Sequence, residues 1–322
     1  MPKRNAEWSP LGLEKLHTVS LKGRPSKVHL EDFGKPWVPG GSLADFIENL
    51  PDILAGGLFK QAARAIASAV RKERTVILGM GAHPIKVGLN PLLVDALMKG
   101  LFTGIALNGA GIIHDVEVAL AGKTSEDVAA CLGLGQFGVV RETAEFIHGA
   151  VESAFRKGNT GLGEAVGRRL LEEKAPYTHQ SLLATAARLG IPVTVHVAIG
   201  TDIIHMHPAM DGAAMGALSH YDFRVFCRMV SSLRQGVFIN FGSAVVLPEV
   251  FLKAVSVACN MGFSLEGMTT VNMDFLRHYR AQTNVVERPT AGAGTGITLI
   301  GHHEIMFPLL MAAVQEDLSR EE

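Results

Sequence analysis

Six short apolar runs, most of them closed by glycine, constrain the fold of this chain more than any other feature. They read RTVILGMGA (74–82), FTGIALNGAG (102–111), IPVTVHVAIG (191–200), QGVFINFGS (235–243), FSLEGMTTVNM (263–273) and GITLIG (296–301). Short apolar runs bounded by turn residues read as strands buried on both faces. Helical patterns lie between them: NPLLVDALMKG with Gly100 as a stop signal, IIHDVEVALAG, a more polar stretch over 141–190, and DFRVFCRMVSSLR. Parallel strands need such crossovers. The alternation predicts a doubly wound α/β fold, a mostly parallel sheet of five or six strands with helices on both faces.

Upstream of the first run, GLFKQAARAIASAVRKE places Leu58, Ala62, Ile66 and Val70 on one helical stripe, and Ser42 is a fitting N-cap for SLADFIENL. Residues 1–41 are polar and proline-bearing, ending in GKPWVPGG, and read as an irregular arm. The expected organisation is therefore an arm over 1–41 and a single Rossmann-like domain over 42–322.

Composition narrows the function classes. Of 322 residues 48% are hydrophobic, enough for a large core, and 30 lysines and arginines against 31 acids leave a net charge of −1. Nothing in that balance provides the basic field that nucleic acid or an anionic membrane would need. Three scattered cysteines (Cys131, Cys227, Cys259) form no disulfide framework. The N-terminus MPKRNAEWSP lacks an apolar signal region, and no apolar run approaches the ~18 residues of a membrane helix. A small-molecule ligand and a cytoplasmic location are the expectation.

In doubly wound sheets the loops after the strands' carboxyl ends converge on one crevice. Here those segments are 79–86, 108–115, 196–207, 240–243, 272–274 and 301–304. Their glycines allow close backbone approach to a ligand, and helix N-termini beside them favour anions. GMGAHP and NGAGIIHD are not a strict G-x-G-x-x-G fingerprint. Histidine is the second signal, with 13 in the chain. His205 and His207, spaced i, i+2, would share one face of an extended segment. His302 and His303 are adjacent, and His83, His114 and His196 fall in neighbouring loops. Such imidazoles suit acid–base work, or zinc and similar metals with Asp115, Asp202, Asp211 or Glu304 as further ligands. No H-E-x-x-H spacing supports a metal. Ser243 sits in F-G-S-A-V rather than G-x-S-x-G, which sets a serine hydrolase aside.

The order of these motifs resembles deoxyhypusine synthase. TVILGMGAHPIKVGLNPLLVDALMKGLFTGIALNGAGIIHDVEVALAG is similar to the first nicotinamide-binding half of that family. LGIPVTVHVAIGTD, GVFINFGSAVV, TTVNM and EIMFPLLMAAV follow in the family's order, so the likeness spans roughly 42–315. The resemblance implies a Rossmann-like fold, NAD as cofactor, a homotetramer with sites between paired subunits, and an N-terminal segment covering a neighbour's site. It matches Asn108–Gly111 to the family's Thr-Ala-Gly-Gly turn, Asn272 to an asparagine in a later strand, and Ala82-His83 to Ser-Asn in the first loop. The family oxidises spermidine with NAD and transfers the aminobutyl group through an imine on a lysine. After the turn that corresponds to its Gly-Gly-Gly-Val-Val, this chain carries Leu247, and leucine offers no amine. His302-His303 replaces a late Asp-Ala pair, and Ile113-His114 an acidic pair.

The leading expectation is a diverged member of that fold, binding NAD or another small molecule in a histidine-lined pocket without making deoxyhypusine. Acid–base roles are expected of His114, His205, His207 and His303. Cofactor contacts are expected of Gly81, Ala82, His83, Asn108, Gly109 and Gly111 in the first loops, and of Asp202, Gly242, Ser243, Asn272 and His302 later in the chain. Asp115 and Asp202 are the carboxylates expected to orient an imidazole or touch a ribose. A metal-dependent hydrolase or lyase using the histidines, and a non-catalytic ligand-binding or assembly protein, are the alternatives.

Overall fold

The computed structural model describes residues 10–320. Its centre is a six-stranded sheet: β1 Val76–Met80, β2 Gly104–Asn108, β3 Val193–His196, β4 Val237–Phe241, β5 Thr269–Asp274 and β6 Thr295–Ile300. The strand order is β3-β2-β1-β4-β5-β6 and every neighbouring pair is parallel. This is the doubly wound α/β architecture expected from the apolar runs, and its order reverses between β1 and β4.

Thirteen α-helices accompany the sheet among the described residues: α1 Leu43–Glu48, α2 Leu54–Arg71, α3 His83–Lys86, α4 Asn90–Met98, α5 Gly109–Ala121, α6 Val128–Leu132 and α7 Arg141–Lys157, then α8 Leu162–Glu172, α9 Leu182–Leu189, α10 Gly212–Val230, α11 Val246–Asn260, α12 Tyr279–Ala281 and α13 His303–Ser319. Ser42 caps α1 reciprocally with Asp45, as its place before an apolar-periodic run predicts. Residues 10–41 form only two short 3-10 turns and are almost wholly exposed; the first nine residues of the expected arm lie outside the described residues. Among the described residues no helix is long and apolar enough to cross a membrane.

Side chains alternate across the sheet as the pleat requires. Val76, Leu78 and Met80 of β1, with Val237, Ile239 and Phe241 of β4, join the core on one face, while Ile77 and Phe238 join the core on the other. The Phe238 ring stacks on Phe251 of α11 at 3.8 Å between centroids and lies over Gly79, where a Cβ would come within 2.8 Å of it. Leu247 belongs to this second core and is wholly buried. The turn after β4 thus feeds a side chain into packing where the resemblance places a lysine.

Buried carboxylates join the layers. Asp115 on α5 takes hydrogen bonds from the Ser181 hydroxyl (2.6 Å) and from the N–H groups of Leu182 (2.8 Å) and Leu183 (3.1 Å). It is spent on the N-terminus of α9, which corrects the expectation that it orients an imidazole or meets a ribose. Asp222 on α10 likewise accepts from the Gly163 and Val195 N–H groups. Burial raises both carboxyls, Asp115 to about 6 and Asp222 to about 7, against those hydrogen bonds.

Because Leu247 is in the core, Leu247→Ala should lower the unfolding free energy by about 2–5 kcal/mol. Urea unfolding measures this, and a change within about 0.5 kcal/mol, as for a surface site, would contradict its placement.

Candidate functional site

The two strands at the reversal of order, β1 and β4, end in turns that touch. The Gly81 N–H donates to the Phe241 carbonyl (3.0 Å), and a Cβ at position 81 would run into the Gly242 carbonyl. Gly242 has φ +64°, a left-handed conformation that glycine adopts without penalty. A Cβ there would come within 2.6 Å of the His303 ring. Two bare turns and one imidazole are therefore stacked against each other, and a side chain at any level would break the stack.

His303 is the first residue of α13, and the tight connection after β6 swings it back over the sheet edge. It is 0% exposed, with the rings of Phe241 (4.7 Å between centroids) and Phe275 (5.6 Å) set edge-on to it. Its Nδ1 lies 2.7 Å from Nδ1 of His83, and its Nε2 faces Oδ1 of Asp274 at 3.7 Å without a hydrogen-bond partner. Burial pushes this imidazole down to about 4, against the pull of the Asp274 carboxylate, so it is neutral at neutral pH. Asp274 ends β5 and is itself buried; its Oδ2 faces Nε2 of His278 at 3.8 Å. His278 leads into α12 and a π-helical turn, Gln282–Glu287, a conformation that concentrates at functional sites.

A second polar group lies across β2. The Asp202 carboxylate fills the space beside Gly109, where a Cβ would collide with it, at the N-terminus of α5. Its Oδ2 stands 4.0 Å from Nε2 of His205, and both atoms are buried without hydrogen-bond partners. The Gly200 N–H donates to Nδ1 of His205 (3.1 Å), so the proton of that neutral ring is on Nε2. Burial raises the Asp202 carboxyl to about 6 and lowers the His205 imidazole.

The remaining expected residues are placed as follows. The i, i+2 pair does not share an extended face, because Ile203–Met206 winds into a 3-10 turn and the Nδ1 of His207 accepts the Ala209 N–H. His114 is bonded at Nδ1 to the Thr124 hydroxyl (2.6 Å) beside Glu117, apart from the His83–His303 contact. Ser243 is buried, and its hydroxyl accepts the Leu247 N–H at the start of α11. Asn272 is wholly buried and accepts from the Asn240 side chain (2.8 Å). The Asn108 side chain caps α5 by accepting the Gly111 N–H (2.8 Å). His302 has a 73% exposed side chain, and Ala82 precedes α3 without a side-chain cap. His196 is a core residue against Phe226, its imidazole pushed down to about 3 by burial.

Among the described residues no three His, Cys, Asp or Glu side chains come together as ion ligands, so the metal alternative has no ligand set there. Sequence reasoning placed Asp274 only within the strand-end segment 272–274, and missed His278 and His148. The last donates Nε2–H to the Ile204 carbonyl (2.8 Å) and stacks on His207, supporting the Asp202 loop from α7. Only Asp274 carried a signal, as the final residue of a buried strand.

No protein-family model matches the chain, and no curated protein matches it. Solved structures do. The ternary complex of AgrE with ornithine and NAD+ superposes at a TM-score of 0.53 and 12% identity, over 80% of this chain and 33% of that chain. This chain therefore spans about a third of AgrE. A LOR/SDH protein, provisionally so assigned, from Methanococcus maripaludis S2 gives 0.53 and 14% over 82% and 71%. A protein from Entamoeba histolytica, provisionally assigned as a deoxyhypusine synthase, gives 0.51 and 13% over 89% and 98%. At these identities the likeness is one of fold.

The stack makes a testable claim. Gly242→Ala should destabilise by about 1–3 kcal/mol from its left-handed backbone, plus the collision with His303. In a His303→Ala background the collision disappears, and the double-mutant cycle should return a coupling of at least about 0.5 kcal/mol. Additive costs would contradict the contact.

Proposed function

We propose that this chain is a diverged enzyme that binds NAD, or a related nucleotide, across the carboxyl edge of β2, β1 and β4. The observation that carries this reading is a topological switch point flanked by unsatisfied buried polar atoms. Oδ2 of Asp202 and Nε2 of His205 lie on the β2 side, and the His83–His303 pair on the β4 side. Strands lie about 4.8 Å apart, so the two groups are separated by about two strand spacings, a span suited to an extended ligand.

The residues present fit a nucleotide's hydroxyl-bearing part. Oδ2 of Asp202 accepts and Nε2–H of His205 donates, so a single ribose hydroxyl satisfies both. Asn108 and Gly109 stand at the start of α5 beside them, and the packed turns of Gly81 and Gly242 lie toward His83 and His303. NAD bound there would supply a hydride acceptor. AgrE, of similar fold, was solved with NAD+, which supports this choice of nucleotide. Leu247, buried in the core, gives no amine for an imine, so deoxyhypusine formation is not part of the proposal. In this reading the domain over 42–322 works as a cytoplasmic homotetramer in which the arm packs on a neighbouring copy. Leu11, Leu16, Val19 and Leu21, each at least 68% exposed, support such a partner surface.

Saturating NAD should raise the melting temperature of the purified chain. Ligand at 100 times its dissociation constant adds about 2.7 kcal/mol. Asp202→Ala should abolish most of that shift. A wild-type melting curve unmoved by millimolar NAD would sink the nucleotide reading.

A further inference from the structure

We propose that Asp274 and His303 hold His83 as its Nδ1–H tautomer, leaving Nε2 of His83 as the group that exchanges a proton with a substrate at the sheet edge. This rests on the site reading above for its use, while its geometry stands without any nucleotide.

Nδ1 of His83 and Nδ1 of His303 are 2.7 Å apart, so one nitrogen carries a proton and the other accepts it. Which one is decided at the far side of the His303 ring. There Nε2 faces Oδ1 of the Asp274 carboxylate, an acceptor, at 3.7 Å. A bare Nε2 would set a lone pair against an anion in a buried site, where such repulsion is least screened. Nε2 of His303 therefore carries the proton, its Nδ1 accepts, and His83 donates from Nδ1.

The titratable groups acting on His303 are His83 from α3, Asp274 from β5 and Glu304 from α13 itself. The rings of Phe241 and Phe275 set apolar edges against it, and Phe307 stacks behind Phe241. The carboxylate is thus the dominant charge acting on the pair, and His278 faces its second oxygen.

His83 itself is half-buried, and its Nε2 makes no hydrogen bond among the described residues. Phe275, 40% exposed, lies 5.1 Å from its ring and offers an apolar flank. The substrate class is accordingly a hydroxyl- or amine-bearing molecule with an apolar body next to the reacting group. In the proton step, the substrate's O–H or N–H bond breaks and its proton bonds to Nε2 of His83. The electron pair stays on the substrate heteroatom. The resulting imidazolium keeps its Nδ1–H on His303, whose own Nε2–H points at the Asp274 charge. Run backwards, the same step returns the proton. His83 is the catalytic group, and His303 and Asp274 are positioning residues.

Long-range 1H–15N correlation spectra of the full chain, labelled with 15N at histidine and without ligand, read each ring's tautomer at neutral pH. The expected spectrum has His83 protonated at Nδ1 and bare at Nε2, and His303 the reverse. Asp274→Asn should shift His83 to a mixed or Nε2–H state. His83 protonated at Nε2 in the wild type, or an unchanged tautomer in Asp274→Asn, would overturn the proposal. Diethylpyrocarbonate followed by mass spectrometry adds a second reading: His83 should be modified and His303 spared, and an unreactive His83 counts against it. Neither measurement uses NAD, so failure of the nucleotide reading and failure of this one are separable.

Discussion

The buried imidazole of His303, seated where Gly242 has no side chain, is the contact around which the carboxyl edge of the sheet is built. A neutral ring inside a core brings two polar nitrogens that water would otherwise satisfy. Here one is met by His83 and the other is turned toward Asp274. Those partners come from the ends of β1 and β5, on either side of β4 in the sheet, so the ring pins three βα turns together. Removing the bare stretch at Gly81 and Gly242 would leave it no room.

The same geometry explains why glycine-rich turns that look like phosphate loops behave differently in this chain. At Gly242 the space is filled by His303, and at Gly109 by the Asp202 carboxylate. In each case the chain's own polar side chain occupies the gap and leaves an unsatisfied atom, Nε2 of His303 or Oδ2 of Asp202. Backbone permissiveness has been turned into side-chain placement. The turn after β4 completes the pattern, since Ser243 caps α11 and Leu247 packs beneath it in the core.

Much of the fold was legible because its signals are local. The runs around Val76–Met80 and Val237–Phe241 are apolar at every position but Gly79 and Asn240, and both strands are buried throughout. Their crossovers, and the cap at Ser42, follow from short-range pattern. The candidate site was legible only as a set of strand-end segments, with His83, His205 and His303 in the segments after β1, β3 and β6. What the sequence could not carry was pairing. His302 and His303 look alike in sequence, yet the first is the exposed cap and the second the first turn of α13, facing the sheet. Asp115 looks like a ligand-touching acid until α9 arrives with free N–H groups. Asp274 and His278 gain their meaning only from a ring nearly thirty residues away.

The most direct measurement is a crystal structure of the chain grown or soaked with NAD. The expected result is dinucleotide density across the ends of β2, β1 and β4, with a ribose hydroxyl between Asp202 and His205 and the nicotinamide ring beside His83. Density elsewhere on the molecule, or an empty carboxyl edge at saturating NAD with His83 and His303 unmoved, would contradict it.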